Sequence, residues 1–149
     1  EDLGRPAPFD VVDVGAGPGT FGRSLRAGAG ICRDALRLTL VERSPESRAR
    51  HDPATGASLV DLGQVERAHV VIANELLDNL AFRLAVWDDG WREAYVVERE
   101  GRALEVLRPL EPGLRQLPTG GVPLGARAPI QQGAGEWVVD ALRRLQRGR

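Results

Sequence analysis

Lysine is missing from this 149-residue chain, methionine is missing too, and Cys32 is its only cysteine. A single thiol can close no intrachain disulfide, so the expected setting is reducing, intracellular and cytoplasmic. One cysteine and two separated histidines, His51 and His69, also make no metal-ligand cluster. All 20 basic residues are arginine, and they are scattered along the chain. With the accompanying alanine, glycine and proline richness, this is the codon usage of a GC-rich genome rather than an arginine-built binding surface. A complete gene product normally starts with methionine, whereas this chain starts at Glu1, so it reads as a fragment. No apolar run approaches the roughly 20 residues that span a bilayer. The first apolar stretch is strand-like rather than the core of a signal peptide. A net charge of -1 and a pI near 6.2 give no electrostatic case for nucleic acid or membrane.

What remains is ordinary globular material, 42% hydrophobic and 28% charged, enough for one domain with a real core. Phe9–Val14 is a short β-branched run that stops at a cluster of glycines. Thr20–Ala29 follows with Phe21, Leu25 and Ala29 at fourfold spacing, which predicts a helix. Leu36–Val41 is a second strand, and Ser44-Pro45-Glu46 opens a helix with Ser44 as N-cap and Pro45 at the first helical position. His69–Ala73 is a third clear strand, and a further helix is expected from Glu75 to Leu80. Between Glu42 and Asn74 space is short, so Ser58–Val60 must serve as the intervening strand and the stretch from Asp52 to Ala57 looks abridged. Strands alternating with helices predict an α/β fold with a parallel sheet.

From Phe82 the texture becomes a β-meander. Phe82–Trp87 and Trp91–Val97 flank Asp89-Gly90, a two-residue hairpin signal, and Glu100-Gly101 turns a second hairpin into Arg102–Leu107. Leu107 to Pro129 is rich in proline and glycine and reads as a long irregular loop. Glu136–Leu145 is amphipathic, with Val138, Leu142 and Leu145 assigned to one buried face. The expected division is residues 1–81 as a Rossmann-like region, 82–133 as an inserted meander and loop, and 134–149 as a helix returning to the core. Trp87, Trp91 and Tyr95 lie on predicted strands and read as packing residues rather than a recognition platform.

Three elements carry chemistry. The first is Asp13-Val14-Gly15-Ala16-Gly17-Pro18-Gly19-Thr20, set between a strand and a helix. Glycines there let the backbone turn sharply and approach a ligand, and the next helix aims its first amides at the same place. A dinucleotide fingerprint would want glycine or alanine where Thr20 stands. The second is Glu42, an acid at the tip of the second strand, placed to accept both hydrogens of a ribose diol. The third is Asn74, Glu75 and Asp78 after the third clear strand. Ligands of open parallel sheets lie outside the carboxyl ends of the strands, so these residues border the same crevice. On a helix Glu75 and Asp78 would share a face. Helix capping by Asn74 is the equally weighted plain alternative.

The segments VVDVGAGPGT, LTLVERSPESRARH, VVIANELLDNLAF and DDGWRE together resemble the MidA-like class I S-adenosylmethionine-dependent methyltransferases, a family that includes the mitochondrial complex I assembly protein that methylates arginine. The resemblance runs from about Phe9 to Leu145. It implies a Rossmann-like methyltransferase fold, incomplete at both ends. It also implies S-adenosyl-L-methionine as cofactor, held by Asp13, Gly15, Ala16, Gly17, Gly19 and Glu42, with Asp61 as the nearest acid for an adenine contact. Asn74, Glu75 and Asp78 then move to the substrate pocket, with a protein substrate, protein arginine methylation and a homodimer as expectations. A non-catalytic assembly or scaffold protein is the alternative function. A nicotinamide-dependent oxidoreductase is a third, disfavoured by Thr20 and by Asp13 before the turn.

Overall fold

The computed structural model describes residues 5–111 and 117–145, which divide into two compact units. One comprises Glu1–Asn79 with Glu136–Arg149, the other Leu80–Gly135.

In the first unit, β1 (Phe9–Val14), β2 (Leu36–Val41), β3 (Ala57–Leu59) and β4 (Val70–Ala73) form a wholly parallel sheet in the order β3-β2-β1-β4. The apolar, β-branched runs that predict these strands are what a sheet buried on both faces requires. Successive side chains of a strand alternate between faces. Val11 accordingly packs with Ala16, Leu36, Leu38 and Leu40 beside Leu25, while Val12 and Val14 pack with Val41, Leu62, Val65, Ala68 and Ala141. Leu25 belongs to α1 (Thr20–Gly28) and Ala141 to α3 (Gln132–Arg144), so the two helices cover opposite faces. β1 has β2 on one side and β4 on the other, so the chain reverses its direction of winding at β1. The crevice beyond its carboxyl end is the switch point where such sheets bind ligands.

β1 and β2 have the bounds the periodicity predicts, and Ser44 caps α2 (Pro45–Arg48), accepting from Ser47 N at 3.2 Å with Pro45 at the first position. The short connection after α2 folds back on Asp52. Ala54 N donates to Asp52 Oδ1 at 2.9 Å, Thr55 N to Asp52 O at 2.8 Å, and Thr55 is buried. Gly56 lets this turn press on β2, since a Cβ there would lie 2.2 Å from the Leu38 carbonyl oxygen. β3 begins at Ala57, paired with Thr39, rather than at Ser58, and ends at Leu59, paired with Val41, rather than at Val60. No helix starts at Glu75. That residue has φ 52, and only a 3₁₀ turn follows at Leu77–Asn79. A left-handed residue breaks the helical run before it begins.

α3 starts at Gln132, and of the face expected to be buried only Leu145 packs on the core. Ala141 is buried and Trp137 and Leu145 pack on the core, whereas Val138 and Leu142 are 38% and 61% exposed. Residues 137, 141 and 145 recur every fourth position, as do 138 and 142. The sequence holds two adjacent apolar stripes, and the large indole wins the core. At the helix end Ala68 N donates to Arg144 O at 2.8 Å, and Leu145 makes a parallel bridge to Ala68.

The second unit is an antiparallel sheet of β5 (Arg83–Trp87), β6 (Trp91–Arg99), β7 (Arg102–Pro109) and β8 (Arg127–Ile130), in the order β7-β6-β5-β8. Trp87 pairs with Trp91, so Asp89-Gly90 sits in a three-residue loop rather than the expected two-residue turn. Glu100 and Gly101, at φ 52 and 73, do make a two-residue turn between paired Arg99 and Arg102. β8 lies inside the stretch read as loop. Pro129 hides it, being tolerated only because β8 is an edge strand. Trp87 and Trp91 stack edge to face at 5.4 Å, and Trp91 Nε1 donates to Pro118 O at 2.7 Å, a packing role. Arg83 grips the buried Glu93 through both carboxylate oxygens and holds it below the usual carboxylate range.

Candidate functional site

The site grows from the turn after β1. Gly15 N and Ala16 N both donate to Val41 O, at 2.9 and 3.1 Å, which ties the turn to the end of β2. Ala16 is thereby turned inward, with its side chain in the core. Gly17 has φ 52, a left-handed geometry that favours glycine, and a Cβ built there would meet nothing within 4 Å. The turn therefore presents bare backbone to open space. Gly19 is the αL N-cap of α1, whose amides receive no side-chain cap, so the positive helix end stays unoccupied by the protein's own acids.

Glu42 reaches this turn from the tip of β2. Its Oε2 accepts from Gly17 N at 2.9 Å and its Oε1 from Ser44 N at 2.8 Å. The two residues singled out from sequence for separate reasons, 25 positions apart, are in direct contact. A carboxylate oxygen carries two lone pairs, so each retains one acceptor position after taking a backbone amide. A ribose diol needs two such acceptors.

Asp13, the penultimate residue of β1, is 5% exposed, and its Oδ2 has no hydrogen-bond partner among the described residues. Burial pushes its carboxyl above the ordinary aspartate value, partly opposed by the nearby His51. An unpaired buried carboxylate oxygen is costly, and a cationic or N–H-bearing ligand group would satisfy it. A cofactor with a sulfonium, an ammonium and a ribose fits this donor set: an orphaned acid, a turn free of side chains and a second acid at the next strand tip.

The β4 loop comes to the same turn. A Cβ at Gly15 would lie 3.2 Å from Leu76 Cδ1, so Leu76 packs against the glycine segment. Asn74, Glu75 and Asp78 flank Leu76 and are exposed. The expectation that Glu75 and Asp78 share a helix face is overturned, because no helix forms there, and Asn74 has no helix to cap. Asn79 Nδ2 instead donates to Glu75 O at 2.7 Å, pinning the loop. Asp61 lies two residues beyond β3, at the same carboxyl edge. Its side chain caps the 3₁₀ turn Leu62–Gln64, accepting from Gly63 N at 2.8 Å, and it pairs with Arg43 at 3.5 Å.

Sequence reasoning passed over His51, which it treated as isolated. Its Nε2 lies 2.8 Å from Gly17 O and its Nδ1 2.7 Å from Ser58 Oγ. No spacing rule links residues 34 apart; the contact exists because the turn after α2 brings His51 back over α1's first turn. An open groove of about 810 Å³ runs along β2 and β3, away from the β4 loop. It is lined by Arg26, Arg37 and Arg48, but each guanidinium is already bonded, to Thr55 O, to Asp10 and to Glu42 O respectively. It is less suited to a ligand than the glycine turn. Among the described residues no group of His, Cys, Asp and Glu could hold a metal, and no helix is long and apolar enough to cross a membrane.

Comparison with known proteins points to the same chemistry. A crystal structure from Burkholderia thailandensis, of a protein described as a "likely methyl transferase" and bound to S-adenosyl-homocysteine, shares the fold with a TM-score of 0.76. It is 24% identical in sequence, and the similarity covers 97% of this chain. The chain spans 41% of that protein's length. No curated protein matches the chain. The family described as "Putative S-adenosyl-L-methionine-dependent methyltransferase" matches residues 1–149. With its whole length matched, the chain belongs to that family of S-adenosyl-L-methionine-dependent methyltransferases.

Proposed function

We propose that this chain forms the cofactor-binding part of an enzyme that transfers a methyl group from S-adenosyl-L-methionine to a protein arginine in the cytoplasm. The observation that carries the cofactor half is the Glu42–Gly17 contact at 2.9 Å, which joins the acid of β2 to the glycine turn at the switch point. The cofactor supplies an electrophilic methyl carbon and a sulfur leaving group. Gly15, Gly17 and Gly19 give it backbone without side chains, Glu42 accepts from its ribose hydroxyls, and Asp13 offers its unpaired oxygen to a cationic group. Asp61, at the tip of β3, is the acid assigned to the adenine side.

The acceptor reading rests on the ANELLDNL segment and its resemblance to the MidA-like enzymes. A guanidinium arrives fully protonated, since its pKa exceeds about 12. Exposed carboxylates at Glu75 and Asp78, with the amide of Asn74, can orient such a group and disperse its proton as the new bond forms. Positioning of this kind contributes several kcal/mol to bimolecular transfer. The test is transfer of radiolabelled methyl groups to a cell extract lacking the protein, followed by mass spectrometry of arginines. Glu75→Ala with Asp78→Ala should abolish labelling and leave cofactor binding within about twofold; unchanged labelling removes both residues from the reaction. Cofactor binding with no transfer to any acceptor would instead favour the scaffold alternative.

A further inference from the structure

The peptide units of the glycine turn are held one by one, and one of them depends on a residue with no assigned role. The Val14–Gly15 and Gly15–Ala16 units are fixed by their N–H groups on Val41 O. The Ala16–Gly17 unit is fixed at both ends, its carbonyl accepting from Gly19 N at 2.9 Å and its N–H donating to Glu42. The Gly17–Pro18 unit has no N–H, because proline carries none, so the Gly17 carbonyl is its sole hydrogen-bonding group. That carbonyl meets His51 Nε2 at 2.8 Å.

We propose that His51 is a positioning residue of the cofactor turn, setting the orientation of the Gly17–Pro18 peptide and hence the direction in which the turn's bare backbone faces the ligand. This rests on the reading of the turn as a cofactor site. A carbonyl only accepts, so Nε2 must donate, and in the neutral ring Nδ1 then accepts from the Ser58 hydroxyl at 2.7 Å. The Gly17 carbonyl thus selects the tautomer, and the Ser58 hydroxyl, on β3, which can donate or accept, turns to donate to Nδ1. The ring also packs on Gly19, where a Cβ would lie 3.2 Å from His51 Cδ2. Gly17 therefore has its N–H held by Glu42 and its carbonyl by His51, two side chains of the single connection between β2 and β3. At φ 52 and with open space before it, glycine would otherwise sample several orientations.

The experiment is calorimetric titration of the protein and its variants with S-adenosylhomocysteine, joined to nitrogen-15 NMR of the imidazole. His51→Ala removes the donor and should weaken binding roughly 2- to 10-fold, the range of one neutral hydrogen bond. His51→Gln, whose amide can donate to Gly17 O and accept from Ser58, should return affinity to within about twofold of the unsubstituted protein. The imidazole should carry its proton on Nε2. Unchanged affinity in His51→Ala, no recovery in His51→Gln, or a proton on Nδ1 alone would each overturn the proposal. If His51→Ala does not fold, His51→Gln and the imidazole spectrum still decide it. If the unsubstituted protein binds no S-adenosylhomocysteine, the cofactor reading itself fails and this proposal with it; loss confined to the variants leaves that reading standing.

Discussion

Replacing Glu42 by glutamine exchanges one carboxylate oxygen for an amide nitrogen and tests whether strand tip and glycine turn act as one unit. Glu42 takes Gly17 N at 2.9 Å on one oxygen and Ser44 N at 2.8 Å on the other. Glutamine keeps one acceptor and turns an NH₂ toward the second amide, donor against donor. The loss is one hydrogen bond to a charged group, about 1.5–3 kcal/mol. Glu42 is only partly buried, and water can replace the lost acceptor, so the lower end applies. In a protein of this size about 1.5 kcal/mol lowers the melting temperature by roughly 3–6 °C. The ribose diol also loses a charged acceptor, so affinity for S-adenosylhomocysteine should fall further, by roughly 10- to 100-fold on the scale of 1.4 kcal/mol per decade. Thermal unfolding by circular dichroism and calorimetric titration measure the two effects separately. A melting point within about 1 °C of the parent together with affinity within twofold would refute the reasoning.

Three further outcomes follow from other parts of the structure. Burial raises the Asp13 carboxyl above its ordinary value, so the folded state holds that proton more tightly than the unfolded chain. Its contribution to stability is therefore lost as pH rises from about 4 through the raised value; Asp13→Asn cannot ionise, so it should gain stability relative to the parent between pH 4 and 7 while binding S-adenosylhomocysteine at least roughly tenfold more weakly. A pH-independent difference in melting point would contradict this. Gly56→Ala sets a Cβ 2.2 Å from the Leu38 backbone oxygen, which cannot yield without parting β3 from β2, and should cost about 3 kcal/mol or more in chemical denaturation. Gly135→Ala, on α3 with nothing within 4 Å, should stabilise by about 0.5–1 kcal/mol in the same assay.

The sheet was legible because its strands are buried on both faces and so read as continuous β-branched runs, as in FDVVDV and LRLTLV. The glycine turn and Glu42 were legible because backbone geometry and strand-tip placement leave a local mark. Contacts that depend on where a loop returns left none: His51 on Gly17 spans 34 residues and Leu76 on Gly15 spans 61. The expected helix at Glu75 failed for a local reason, a single left-handed residue that its side chain does not announce. The buried face of α3 was misjudged because Val138 and Leu142 form as good a stripe as Trp137 and Ala141, and only the shape of the core chooses between them. β8 was hidden by a proline that an edge strand tolerates.

Titration of the purified protein with S-adenosylhomocysteine, run beside an identical titration with NAD, tests the central claim most directly. Saturable one-to-one binding of the first, with no heat from the second, is the expected result. Absence of binding by S-adenosylhomocysteine, or binding of NAD in its place, would contradict the account.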